Sequence, residues 1–283
     1  MTADRAGPRV GTVDVTLIAV AAVWGAVAGT LVPRAAYRLS VEPEDDWRAA
    51  CPAGHPITGP LHGWVGAARC ASCAAGAPAV VAAGARDGAL APADASAEVR
   101  PPAPYRPSVL VPAVTALVCL TLAASTGPRP ELAVWLLATP AAVLLALVDR
   151  RVHRLPDQLT LPLAVASAAL LGLAELLPHD GGSWPTALLG GLALGAVYFL
   201  LFLINPNGMG FGDVKLALSL GLVLGWYGWV VLFLGAFAGF LLGSLYGLTL
   251  VLLRRAGRKT AIPFGPFMIV GALLGVLLGA LGA

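Results

Sequence analysis

The sequence predicts an all-α polytopic membrane protein, with about eight transmembrane helices and one cytoplasmic, cysteine-containing loop domain. Apolar residues make up 58% of its 283 positions and charged ones only 12%. Its mean hydropathy of +0.82 lies far above that of a soluble domain. Apolar runs long enough for a bilayer core, about 20 residues each, recur along the whole chain. They fall at 13–33, 108–126, 131–148, 159–177, 185–204, 213–228, 229–253 and 263–282. Only Trp226-Tyr-Gly-Trp229 separates the sixth from the seventh, so a re-entrant sixth segment and a total of seven spans stay open.

Orientation follows from arginine and lysine, which favour cytoplasmic loops. With the N-terminus outside, segments 34–107, 149–158, 205–215 and 254–262 face the cytoplasm and hold fifteen of the eighteen basic residues. Arg5, Arg9 and Arg129 remain outside. Reading the first run as a cleaved signal peptide, with Ala26-Val-Ala28 as its cleavage site, would turn every arginine-rich loop the wrong way. The chain is thus expected to be a multi-pass protein of the plasma or inner membrane, with lipid around it and no nucleic-acid partner. Three stretches are expected: a first transmembrane helix (1–33), a cytoplasmic loop (34–107) and a transmembrane domain (108–283).

The loop carries Cys51-Pro-Ala-Gly-His55 and Cys70-Ala-Ser-Cys73, followed from Ala77 to Pro107 by an alanine- and proline-rich tether. Cys70-x-x-Cys73 is half of a zinc-ribbon pattern, and Gly54 stands where a fourth thiol would sit. Cys51, His55, Cys70 and Cys73 would make a Cys₃His zinc site, with His62 as the other candidate imidazole. The fourth cysteine, Cys119, lies inside an apolar run and is expected to pack there.

Two carboxylates stand out against this apolar background. Asp213, in Gly210-Phe-Gly212-Asp-Val-Lys215, opens the sixth run, and Asp149 closes the third. An ionisable group at membrane depth costs about 2.5–3.5 kcal/mol on insertion scales and marks function by default. Both aspartates lie at the same predicted level, where two like charges cannot readily coexist and a proton is shared. Such a pair suits water activation and carbonyl protonation. Gly210 and Gly212 are expected to form a tight turn that uses positive φ or close backbone approach, with Lys215 as the supporting base. Asp157 follows Pro156 and is read as the cap of the fourth helix. The 254–259 arginine cluster is read as a cytoplasmic anchor, and Ile262-Pro-Phe-Gly-Pro-Phe267 as a rigid start to the last span.

Together these residues resemble the type IV prepilin peptidases, membrane aspartic proteases with a GxGD motif. The blocks are Gly29 to Leu39, Asp149 with Leu155-Pro-Asp-Gln-Leu-Thr-Leu-Pro162, Gly208-Met-Gly-Phe-Gly-Asp-Val-Lys-Leu216, and Ile262 to Phe267. The resemblance implies that Asp149 and Asp213 are the catalytic pair. It also implies that prepilin or pseudopilin substrates lose a short basic leader just before their hydrophobic helix, at the cytoplasmic face. N-methylation of the new terminus by S-adenosylmethionine is open, because the upstream Cys-x-x-Cys has become Cys51-Pro-Ala-Gly54. A presenilin-like protease would carry Tyr-Asp and Pro-Ala-Leu signatures that are missing around these aspartates. A proton-coupled transporter built on paired aspartates is the alternative from another class, but it predicts mid-span acids and internal repeats. A purely structural secretion subunit is the third reading.

Overall fold

The computed structural model describes residues 12–42, 45–76, 105–178, 181–206, 208–253 and 263–282. The tether from 77 to 104 and the arginine cluster at 254–259 lie outside them, as does Asn207 of the Asp213 loop. The described residues fold into ten helices, with no strand beyond one isolated bridge between Ala50 and Pro56. Eight helices are long: α1 (Thr12–Leu39), α4 (Leu110–Thr126), α5 (Glu131–Val152), α6 (Asp157–Glu175), α7 (Trp184–Ile204), α8 (Phe211–Trp226), α9 (Trp229–Leu252) and α10 (Gly265–Gly282). Two single turns, α2 (Pro60–Gly63) and α3 (Ala71–Ala74), lie in the polar loop.

All eight apolar runs are helical. Six are long and apolar enough to cross a membrane, while α4 has 17 residues and α8 has 16. At 1.5 Å per residue α8 is about 24 Å long, short of the hydrocarbon core. Its neighbours make up for this: α8 packs against α6, α7, α9 and α10, and eleven of its residues are buried, from Asp213 to Trp226. Two helices outrun their predicted ends. α1 continues from 33 to Leu39, where the polar loop covers Arg34, Tyr37 and Arg38. Likewise α5 continues from 148 to Val152, so Asp149 lies within its last turns and not after them.

Small residues decide which helices pair. Between apolar helices in lipid there is no solvent to expel, so backbone approach and dispersion select partners. A Cβ on Gly225 would meet the Thr186 carbonyl at 2.7 Å, and one on Gly221 the Gly190 carbonyl at 2.5 Å. These contacts seam α7 to α8. Gly25 and Gly29 do the same for α1 against α4, and Gly239 and Gly271 for α9 against α10.

The polar loop is pinned to the end of α1 by arginine. Arg34 donates to the carbonyls of Val65 (3.1 Å) and Thr58, and Arg38 donates to His62 O (2.9 Å) while lying over the Trp64 ring.

Candidate active site and metal cluster

Asp149 and Asp213 come to one end of the bundle from different helices. α5 ends just after Asp149: His153, the left-handed residue that stops the helix (φ 51°), returns its N–H to the carbonyl of Asp149 at 2.7 Å. Asp149 itself is buried, 4% exposed. The first residue of α10 bonds the Asp149 side chain, Gly265 N–H to Asp149 Oδ2 at 2.9 Å. The opening N–H groups of a helix have no partner within it and attract negative charge. Gly265 is required by contact, since a Cβ there would stand 2.8 Å from Oδ2. Of the Ile262 to Phe267 block, Ile262 lies outside the described residues, and the rest does more than start a helix: through Gly265 it holds a carboxylate.

Asp213 occupies the third position of α8 and is 7% exposed. Its backbone N–H bonds the Gly210 carbonyl at 3.0 Å, and Gly210 itself is extended (φ −73°, ψ 144°). The two aspartates lie within electrostatic reach of one another, and Tyr198 of α7 lies within reach of Asp213. Neither Gly210 nor Gly212 has positive φ, so only the close-approach half of the sequence reading holds. Gly212 faces Leu155, whose Cβ would be 2.8 Å from an added methyl. Glycine at 212 lets the segment before α6 lie directly on the start of α8.

Asp157 is the first residue of α6 and makes no capping bond; the capping position is Pro156. Asp157 Oδ1 instead pairs with Lys215 Nζ at 2.6 Å, and that ammonium also lies 4.8 Å from the Phe211 ring centre. Lys215 thus ties α8 to α6. The sequence placed Leu155 and Gly265 within motif blocks but not their contacts at the aspartates, and it gave no sign of Tyr198. The Ile-Pro-Phe-Gly-Pro-Phe block was the one signal that could have pointed to Gly265.

In the polar loop, Cys51, His55, Cys70 and Cys73 bring their ligand atoms within 4.8 Å of one another. Gly54 (φ 81°) bends the chain so that Cys51 N–H bonds the His55 carbonyl at 2.8 Å. This turn carries the His55 ring back onto the thiols, with Nδ1 3.3 Å from Cys73 Sγ and 3.7 Å from Cys51 Sγ. Cys51 and Cys73 Sγ are 3.6 Å apart. Two thiolates about 2.3 Å from one tetrahedral ion would be about 3.7 Å apart, so the donors fit a metal such as zinc. His62 is exposed and lies outside this group. The Cys73 backbone N–H draws the Cys70 thiol down to about 7, and hydrogen bonding to Cys70 raises Cys73 to about 11. Cys119 is fully buried in the helical core, as its place in an apolar run implied.

Comparison with known proteins gives the same direction. Residues 136–280, which include both aspartates, match the model of the type IV leader peptidase family. A prepilin leader peptidase/N-methyltransferase of Aeromonas salmonicida is 31% identical over 252 residues, covering 84% of this chain and 76% of its own. The proteins of the same name from Aeromonas hydrophila and Pseudomonas aeruginosa are each 34% identical, over 60% of this chain and 58% of theirs. No solved structure matches the chain.

Proposed function

Because the chain belongs to the type IV leader peptidase family, we propose that Asp149 and Asp213 are its catalytic pair and hydrolyse the leader of prepilin-like substrates. One observation carries this reading: two buried carboxylates from separate helices lie within electrostatic reach of one another at one end of an apolar bundle, one held by the first N–H of a third helix. The pair shares one proton. The unprotonated carboxylate takes a proton from water as its oxygen attacks the scissile carbonyl carbon. The protonated partner gives its proton to the carbonyl oxygen, forming a gem-diol. Collapse breaks the C–N bond, the amine nitrogen takes up a proton, and a carboxylate and a new N-terminus leave. No acyl-enzyme is formed. The transporter reading has no support beside this family membership.

The dyad faces the cytoplasm in this proposal, since Arg34, Arg38, Arg150, Arg151, Arg154 and Lys215 lie on segments at its end of the helices and Arg129 at the other. Cys51, His55, Cys70 and Cys73 would hold one structural zinc, which would lock the loop against α1. Methylation of the new terminus, as the relatives' names include, would use S-adenosylmethionine and belongs to that loop region. Asp149→Asn and Asp213→Asn preserve side-chain shape but cannot trade a proton. Each should reduce cleavage of a prepilin in detergent at least 1,000-fold (about 4 kcal/mol) with unchanged membrane abundance. Cleavage by either variant at near wild-type rate would remove that aspartate from the pair.

A further inference from the structure

We infer that the apolar segment following the scissile bond enters from the bilayer through the cleft between α7 and α9, and that Tyr198 and Phe264 form the wall meeting its first residues. This rests on the peptidase reading and adds a route and a specificity surface to it.

Three features support the inference. α7 and α9 scarcely touch, α7 leaning on α8 and α9 mainly on α10, and they leave an apolar recess of about 430 Å³. Its lining comes from these two helices alone, including Leu194, Val197, Ala236 and Phe240, and Tyr198 is its one residue with a polar side-chain group other than Trp229. A helix sliding sideways out of lipid would therefore separate no packed pair.

Two residues of the recess also touch the ring that precedes Gly265. The Tyr198 ring centre is 6.2 Å from that of Phe264, and that of Phe240 is 5.6 Å from it. Phe264 directly precedes Gly265, the donor to Asp149. Tyr198 is 4% exposed and lies within electrostatic reach of Asp213. Tyr198 and Phe240 thus line the cleft, while Phe264, in contact with both, precedes the residue that holds Asp149. A peptide held at the aspartates, with an apolar continuation bound for lipid, meets these rings first.

A second cavity, of about 310 Å³, also comes near Asp149, but it is lined by α4, α5, α6, α8 and α10, each packed on the next, with Thr139, Ser167 and Ser219 among its residues. Filling it with a helix would require parting helices that pack together, so it serves as the control. The substrate would be a prepilin-like protein with its apolar segment intact, presented in phospholipid vesicles to the full-length enzyme. Ala236→Trp, which narrows the α7–α9 cleft, should raise KM for this substrate at least tenfold, the loss falling on KM more than on kcat. Ala142→Trp, in the five-helix cavity, should change KM less than threefold. An unchanged KM in Ala236→Trp would mean that the cleft holds lipid only and would overturn the inference, as would equal losses in both variants.

A measurement that leaves the cleft intact guards against misfolding of the tryptophan variants. A photo-reactive residue in the first two turns of the substrate's apolar segment, incubated with Asp213→Asn enzyme, should cross-link to α7 and α9. Adducts confined to α4, α5 or α6 would refute the route. If wild-type enzyme cleaves no prepilin at all, the peptidase reading fails and takes this inference with it. Intact cleavage with adducts elsewhere refutes the route alone.

Discussion

Gly265 is one atom short of blocking the carboxylate it holds. Its N–H reaches Asp149 Oδ2 at 2.9 Å because no Cβ stands between them. Gly265→Ala should therefore lower peptidase turnover at least tenfold while leaving the protein in the membrane and folded, measured as kcat against abundance. Wild-type turnover would mean that the carboxylate moves freely aside. Asp157 makes the opposite case. More than half of its side chain is exposed, and it pairs with Lys215 across the surface, an arrangement worth about 0–1 kcal/mol. Asp157→Asn should keep cleavage within about threefold of wild type; a loss as deep as that of Asp149→Asn would make Asp157 the first catalytic aspartate. The two buried aspartates were legible in the sequence because a carboxylate at the edge of an apolar run is conspicuous. What holds them was not. Asp149 and Gly265 are 116 positions apart, and local pattern carries no trace of such a contact. The Asp157–Lys215 pair was hidden in the same way, so a residue that opens a helix was read as its cap.

At the scale of the helix, hydropathy located every apolar run but misjudged where two of them end. Hydropathy falls where arginines begin, whereas the helix continues as long as backbone bonds and a cover persist. In α1 the buried Arg34 and Arg38 give their charge to loop carbonyls, so the helix runs on to Leu39. Which helices pair is written in glycine spacing, Gly221-x-x-x-Gly225 on α8 and Gly235-x-x-x-Gly239 on α9, a signal that overall composition conceals. Gly225 faces Thr186 O at 2.7 Å and Gly190 Cα at 3.0 Å. Gly225→Leu should push α7 off α8, with an overpacking cost of about 1–3 kcal/mol. Its expected signature is a lower thermal midpoint in detergent and a smaller folded yield. An unchanged midpoint would mean that α7 and α8 can part without loss.

For the whole molecule, the membrane bundle and the polar loop are coupled through the end of α1. The two buried aspartates and the N–H that holds one of them sit on α5, α8 and α10, whereas the four metal-type donors sit between residues 51 and 73. Sequence spacing suggested the Cys₃His set, but the choice of His55 over His62 depended on the turn at Gly54, which only three-dimensional structure reveals. A zinc there would close the loop beneath Arg34 and Arg38 without touching either aspartate. Washed protein should contain about one zinc per chain, and Cys70→Ser should release it because three donors hold a structural zinc far less tightly than four. Prepilin cleavage by the zinc-free variant should fall severalfold at most, since α1 loses its cover while α5, α8 and α10 keep theirs. Metal content and peptidase rate measured on one preparation separate the possibilities. A Cys70→Ser protein that still binds zinc would refute this ligand set. One that loses zinc and cleavage together would make the loop a necessary support of the dyad, joined to it through α1, which packs directly against α5.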